Sequence, residues 1–295
     1  MDRRRFLKSA TVTAAAAGIA VLPGSASAEI EPEELANEHA DDPALLIDLS
    51  RCTGCGACVT ACKLQNHLPW RSDQPAVGPE AQLASANWTS VRAVDPPGAA
   101  DTRYVKRQCL HCLDPACVSA CPVRALRKDP AGPVTYDENR CIGCRYCLMA
   151  CPFGVPTFEW DQTISAVSKC NLCAERTSRG EATACAAACP TGAIRYGRRA
   201  DVLQEATSRI DAEPDRYEHH VYGETEAGGT SVLYVSDVSF AGLGFPQGLP
   251  DRPLPDYTWQ VSRLIPPFAV GLGAVLIALY GRRKKLETGA EEGER

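Results

Sequence analysis

The sequence predicts an α+β fold: a small unit of short strands and cysteine-bearing loops, duplicated along the chain, followed by one C-terminal transmembrane helix. Three observations predict it. All 16 cysteines fall into four tight groups between Cys52 and Cys189. Strand-like runs stand beside each group, so one strand-and-loop pattern recurs within a single chain. Near the end, Leu264 to Tyr280 forms an uncharged run of 17 residues, followed by Arg282, Arg283, Lys284 and Lys285.

The cysteine groups carry the most specific chemistry. Cys52, Cys55, Cys58 and Cys62, and again Cys141, Cys144, Cys147 and Cys151, read C-x2-C-x2-C-x3-C. The group Cys109, Cys112, Cys117 and Cys121 widens the middle gap to four residues, and eleven residues separate Cys170 and Cys173 from Cys185 and Cys189. Three thiolates from one short loop meet three corners of an iron-sulfur cubane and leave the fourth corner to a distant segment. That is the bacterial ferredoxin spacing, in which a proline follows the last cysteine. Pro122, Pro152 and Pro190 hold that place here, and Lys63 stands there after the first group. Gly54, Gly56 and Gly143, between ligands, are expected at positive φ with amide hydrogens turned toward sulfur. At four thiolates per cubane, 16 cysteines account for four 4Fe-4S clusters with none left over. The predicted fold is therefore a duplicated bacterial ferredoxin-like domain binding four 4Fe-4S clusters, plus the C-terminal helix.

Other uses of cysteine fit less well. Zinc sites take two close pairs rather than three cysteines within seven residues. A disulfide scaffold is richer in cysteine, above roughly 8–10%, and such tight clustering would crowd its bridges. A zinc-stapled extracytoplasmic binding module stays as the alternative from a different functional class.

From the N-terminus, Arg3, Arg4, Arg5, Phe6, Leu7 and Lys8 precede a small-residue apolar stretch from Ala10 to Leu22, and Ala26, Ser27 and Ala28 supply an A-x-A cleavage site. This reads as a twin-arginine signal peptide, with the mature chain expected to begin at Glu29. Export of folded protein reconciles reduced thiolates with an oxidising compartment. Strands are expected at Leu45–Leu49, Arg103–Arg107, Pro133–Tyr136, Ala193–Tyr196 and Val232–Val238, and helical turns at Val59–Cys62 and Leu148–Cys151. A Pro- and Gly-bearing insertion, 69–100, reads as a surface excursion. Asp201 to Ile210 places Val202, Leu203, Ala206 and Ile210 on one helical face. The terminal apolar run spans about 26 Å against a hydrocarbon core of about 30 Å, with Tyr257, Trp259 and Tyr280 as interfacial anchors and the basic tail cytoplasmic. The expected organisation is a signal peptide over 1–28, a four-cluster domain over 29–244, a Pro-rich tether over 245–263, a membrane anchor over 264–280 and a cytoplasmic tail over 281–295.

Net charge is -5, and no lysine or arginine stripe suggests nucleic acid. No Gly-rich nucleotide-binding turn and no flavin, haem or nickel-iron site is evident. His67, His111, His219 and His220 do not form a ligand constellation. His111 is expected to pack, with a hydrogen bond to cluster sulfur as the alternative. Lys63, Lys106, Arg107 and Lys169 stand beside the groups, where solvated surface charge is the expected state and stabilisation of a negative cluster the alternative.

The four-group pattern resembles the four-cluster ferredoxin-like electron-transfer subunits of membrane-bound respiratory oxidoreductases, the β subunits of formate dehydrogenase and dimethyl sulfoxide reductase among them. Within that family it is most similar to the periplasmic iron-sulfur subunits of the nickel-iron hydrogenase 2 type. The twin-arginine leader, QCLHCLDPACVSACPVRALRKDP ending at Pro130, CIGCRYCLMACPFGVP from Cys141 to Pro156, YGETEAGGT from Tyr222 to Thr230 and the terminal anchor carry the likeness. The resemblance implies that groups one and four share ligands, as do groups two and three. Cys52, Cys55 and Cys58 would join Cys189, and Cys170, Cys173 and Cys185 would join Cys62. Cys109, Cys112 and Cys117 would join Cys151, and Cys141, Cys144 and Cys147 would join Cys121. It further implies a non-catalytic subunit that relays single electrons between hydrogenase catalytic and small subunits and an integral membrane quinone-reactive subunit, on the periplasmic face. A molybdopterin catalytic subunit, as in formate dehydrogenase, is the alternative partner.

Overall fold

A computed structural model describes residues 31–160 and 166–293, with side chains as far as Arg283. The expected signal peptide lies outside the described residues. Among these residues, the strands β1 (Pro43–Asp48), β2 (Val77–Gly78), β3 (Thr89–Val94), β4 (Arg103–Gln108), β5 (Leu126–Lys128), β6 (Val134–Tyr136), β7 (Ile194–Arg198) and β8 (Val232–Val235) form three small sheets.

The first sheet runs β7-β1-β8, with β7 antiparallel and β8 parallel to the central β1. Its apolar residues alternate between two cores, as a period of two requires. Ala44 and Leu46 of β1, with Leu233 and Val235 of β8, face the helix Arg199–Ala212 through Val202, Ala206 and Ile210. Leu45 and Ile47, with Val232 and Tyr234, face the cysteine loops. One face of this sheet thus carries a helix and the other carries the candidate site.

The second sheet, β2-β3-β4, pairs β3 with β4 antiparallel in the register Val91↔Lys106 and Thr89↔Gln108. It corrects the expectation of a surface excursion over 69–100: Ala81, Ala86, Asn87, Thr89, Ser90 and Val91 are all buried. The segment leaves the surface because β3 lies against β4 and presents Thr89 and Val91 to the cysteine loops. The third sheet is the hairpin β5-β6, Leu126↔Tyr136 to Lys128↔Val134.

The duplication is visible in how the chain enters two of the loops. Asp48 and Asp137 each cap a single 3-10 turn, accepting from the amides of Ser50 and Asn139, and each turn ends on an arginine just before Cys52 or Cys141. Asp48 is fully buried and also accepts from Tyr217 Oη at 2.9 Å and Arg209 Nη1 at 2.8 Å, so its charge is matched where it is desolvated.

The stretch expected as a tether begins at Phe245, buried against Tyr222, Tyr234 and Phe240. It becomes helical from Leu254 to Ser262, and a further helix runs Ile265–Gly293. Leu264, Ile265, Phe268, Leu272, Ile277 and Leu279 are all exposed.

Candidate iron-sulfur centres

Each cysteine loop depends on a backbone turn that side chains resist. The residue before the second cysteine of each group is left-handed: Gly54 at φ 71°, His111 at 51°, Gly143 at 68° and Leu172 at 54°. Glycine takes that conformation without steric cost, while His111 and Leu172 take it under the constraint of full burial. At Gly54 the absent side chain has a second use, since a Cβ there would lie 2.3 Å from Tyr104 Cδ1. The turn aims amides at sulfur: Gly143 N donates to Cys141 Sγ at 3.4 Å and Leu172 N to Cys170 Sγ at 3.3 Å.

The folded chain brings the cysteines together in quartets that cross the groups. Cys52, Cys55, Cys58 and Cys189 line a cavity of about 380 Å³, walled by Ile47, Val91 and Lys106. Cys62, Cys170, Cys173 and Cys185 line a second of about 310 Å³, walled by Leu45, Thr89 and Gln108. Cys121, Cys141, Cys144 and Cys147 line one of about 320 Å³, with Tyr136, Arg145 and Phe158. Cys109, Cys112, Cys117 and Cys151 lie within electrostatic reach of one another. Thiols of successive quartets also lie within electrostatic reach of one another: Cys58 of Cys185, Cys170 of Cys109, and Cys117 of Cys147. The quartets therefore form a row, in the order Cys52, Cys62, Cys109 and Cys121 as their first members. Among the described residues the exposed cysteines, Cys55 and Cys144, belong to the two end quartets, and the others are buried or half-buried.

Burial makes most of these thiols poor acids on their own. It pushes Cys58 and Cys147 up to about 11 and Cys62 and Cys117 up to about 12, with neighbouring sulfurs adding to the effect. Cys189 goes the other way. Its burial is outweighed by hydrogen bonds from Thr191 and from the amides of Ile194, Thr191 and Ala193. Such thiols ionise when a metal replaces their protons, which couples folding to metal binding.

The surroundings fit a cluster of iron and sulfide. Among the described residues no three His, Cys, Asp or Glu side chains converge on a single-ion position, whereas three of the quartets each set four cysteines around one pocket. The walls hold buried donors without an acceptor: Gln108 Nε2 in the second cavity, and Tyr136 Oη and Arg145 Nε in the cavity of Cys121. Tyr136 Oη lies near Cys141 without making a bond of acceptable geometry. Bridging sulfides are acceptors suited to such groups.

Sequence reasoning missed the state of the lysines. Lys63, Lys106 and Lys169 are buried rather than solvated. Lys63 Nζ donates to the carbonyls of Pro69 and Ala86, and Lys169 Nζ to those of Val134 and Cys170. Arg107 is half-buried, donates to Gly244 O and stacks on Phe245. His111 is fully buried, and its Nδ1 accepts from Val134 N at 2.9 Å, so Nε2 carries the proton and has no partner among the described residues. Burial, then Lys169 and Lys128, hold it well below the ordinary histidine value and neutral. Also unforeseen is Arg199, buried, whose guanidinium ties the carbonyls of Thr230 and Glu224 together. It secures the Tyr222–Thr230 segment, which in turn holds the second cysteine loop through Leu113 N to Gly229 O and Ser231 N to Leu110 O.

The fold and the quartets define an iron-sulfur protein of the dicluster type, and comparison with known proteins agrees. Residues 100–199 and 51–125 each match a family model described as a 4Fe-4S dicluster domain. A protein of Nitratidesulfovibrio vulgaris is 37% identical over 295 residues, covering 97% of this chain and 79% of its own length. The hydrogenase-2 operon protein HybA of Escherichia coli O157:H7 is 35% identical over 84% of each chain. The iron-sulfur subunit of the nitrate-inducible formate dehydrogenase of Escherichia coli K12 is 36% identical, over 73% of this chain and 75% of its own. The chain belongs to the four-cluster ferredoxin-like β-subunit family of respiratory oxidoreductases, and its two dicluster domains and 16 cysteines provide for four 4Fe-4S clusters.

Proposed function

We propose that this chain relays single electrons between a nickel-iron hydrogenase catalytic subunit and a membrane quinone-reactive subunit, with no substrate chemistry of its own. The observation that carries this reading is the row of four thiol quartets, whose exposed cysteines, Cys55 and Cys144, lie in its two end quartets. A relay needs two ports and insulation between them. When bound, each 4Fe-4S cluster takes up and releases one electron. The chain's part is to order the four sites, to surround them with N–H donors and to exclude water.

In this reading Cys52, Cys55, Cys58 and Cys189 hold one cluster, and Cys62, Cys170, Cys173 and Cys185 the next. Cys109, Cys112, Cys117 and Cys151 hold the third, and Cys121, Cys141, Cys144 and Cys147 the fourth. The exposed apolar part of the C-terminal helix supports a single-pass anchor over 264–280, with the tail 281–295 cytoplasmic and the domain 29–244 on the extracytoplasmic face after twin-arginine export. Likeness to a hydrogenase-2 operon protein across 84% of each chain favours the hydrogenase partner. The formate dehydrogenase likeness, at 36% identity, supports the second reading, a molybdopterin catalytic partner.

The test is anaerobic purification of the detergent-extracted complex. A brown complex with four iron and four acid-labile sulfide atoms per cluster and a nickel-containing large subunit is expected. Molybdenum in that subunit would move the chain to the second reading. Zinc without sulfide would withdraw electron transfer altogether.

A further inference from the structure

Strand β4 presents alternate side chains, Tyr104, Lys106 and Gln108, to the half of the molecule built from the first and last cysteine groups. Tyr104 packs on Gly54 of the first loop. Lys106 lines the cavity of Cys52, Cys55, Cys58 and Cys189, and Gln108 lines the cavity of Cys62, Cys170, Cys173 and Cys185. The two side chains are joined, Lys106 Nζ donating to Gln108 Oε1. Because an ammonium has no lone pair, that bond fixes which end of the amide is oxygen. It leaves the Gln108 Nε2 group, buried and without a partner among the described residues, in the wall of the second cavity.

Lys106 is 1% exposed, and among the described residues no carboxylate pairs with it. A buried charge persists only where something of opposite sign compensates it. The groups in reach are sulfurs of both quartets: Cys58 of the first, and Cys185 and Cys170 of the second. Lys106 thus stands in a wall that the two quartets share, with sulfur rather than carboxylate around it. Lys63 and Lys169, by contrast, spend their donors on backbone carbonyls.

We infer that Lys106, with Gln108 as its bridge, is the shared counter-ion of the first two centres and sets their reduction potentials as a pair. The inference rests on the cluster assignment above. A tetrathiolate cubane gains one negative charge when it takes an electron, so a fixed cation in the common wall favours the reduced form of either neighbour. The amide N–H2 extends the same bias to the second centre by hydrogen bonding. Lys106 is a positioning residue in this scheme: it acts on potential and carries no electron.

The experiment is an EPR-monitored redox titration of the purified complex carrying Lys106→Met or Lys106→Arg, beside the unaltered complex, with iron and sulfide assayed on each sample. Lys106→Met is expected to lower two of the four potentials together, each by about a tenfold change in the one-electron equilibrium, or about 59 mV. The other two stay where they were, and Lys106→Arg restores the first two. If the methionine variant fails to assemble four clusters, Gln108→Glu, which keeps the lysine and neutralises it, must show the same paired fall. Unchanged potentials with all four clusters present, or an equal shift in all four, overturn the role of Lys106 while leaving the relay intact. Absence of clusters from the unaltered complex would instead remove the relay reading itself.

Discussion

The two ends of the row differ in what surrounds their exposed cysteine. At the Cys55 end the rim is mostly polar and small, with Thr53, Pro190 and Thr191 exposed, and the quartet is backed by Ile47, Val91 and a buried ammonium. At the Cys144 end the rim is apolar and large: Ile142 is 57% exposed, Tyr146 60% and Met149 84%. Trp160, also exposed, stacks on Arg145 at 4.6 Å. Both loops share one cysteine spacing, so the difference lies in the residues between the ligands. A patch of large apolar side chains on a surface otherwise rich in charge marks a contact site. The comparison teaches that one cysteine motif presents two surfaces of unlike polarity by varying only the positions between the ligands.

The strongest way to break this comparison is to remove a ligand from the interior and one from an end. Cys185→Ala, in a quartet with no exposed cysteine and within electrostatic reach of the first, is expected to empty its own centre and the first and halve the iron content. Cys144→Ala is expected to cost only its own centre, a quarter of the iron. Equal losses, read by metal analysis and EPR, would mean that the ends are as tightly coupled to the fold as the interior. A smaller effect sharpens the difference in polarity. Met149→Glu should weaken docking of one partner by about 2 kcal/mol, roughly thirtyfold, while cluster content stays unchanged. A pull-down that retains both partners at full strength would remove the apolar end as a contact.

The smallest effect concerns a pair that belongs to neither end, and so separates stability from the ports. His220 Nε2 meets Glu226 Oε1 at 2.6 Å, and Gly223 N donates to the other carboxylate oxygen at 2.6 Å. Hydrogen bonding to Glu226 raises His220 above its ordinary value of 6.5. Burial alone would raise Glu226, but His220 and the Gly223 amide outweigh it and hold it below its ordinary 4.5. The histidine's contribution is complete below pH 6.5 and is lost as pH rises through its elevated value. That of the glutamate is complete above pH 4.5 and is lost as pH falls through its depressed value. The pair thus contributes most between pH 4.5 and 6.5. Because the histidine is exposed, the gain is about 0.5 kcal/mol. His220→Ala should flatten this part of the stability profile in denaturant melts; an unchanged profile would exclude the pair as its source.

The cysteine spacing made the candidate site legible because cubane geometry leaves few alternatives for three thiols within seven residues. The strand positions beside the loops were largely legible too, since residues 45–47 and Val232–Val235 are apolar enough to be buried on both faces; the expected strand to Val238 stops at Val235, where Ser236 and Asp237 follow. What stayed hidden has a common cause: it depends on neighbours far away in sequence. Thr89 and Ser90 of β3 read as loop residues, and only pairing with β4 buries them. A lysine reads as surface charge, and only a wall of sulfur lets Lys106 be an interior cation. The left-handed turn was legible at Gly54 and Gly143. At His111 and Leu172 it is imposed by packing that no local signal records.

The strand order β7-β1-β8 has a consequence for how the protein is made. β1, among the first elements to leave the ribosome, lies between two strands that are translated far later, the second ending at Val235. The quartets of Cys52 and Cys62 likewise wait for Cys189 and Cys185, while those of Cys109 and Cys121 are complete once Cys151 has emerged. Ligand sets are therefore completed in the middle of the polypeptide before they are completed at its flanks. A chain truncated between Cys151 and Cys185 would hold complete ligand sets only for the quartets of Cys109 and Cys121.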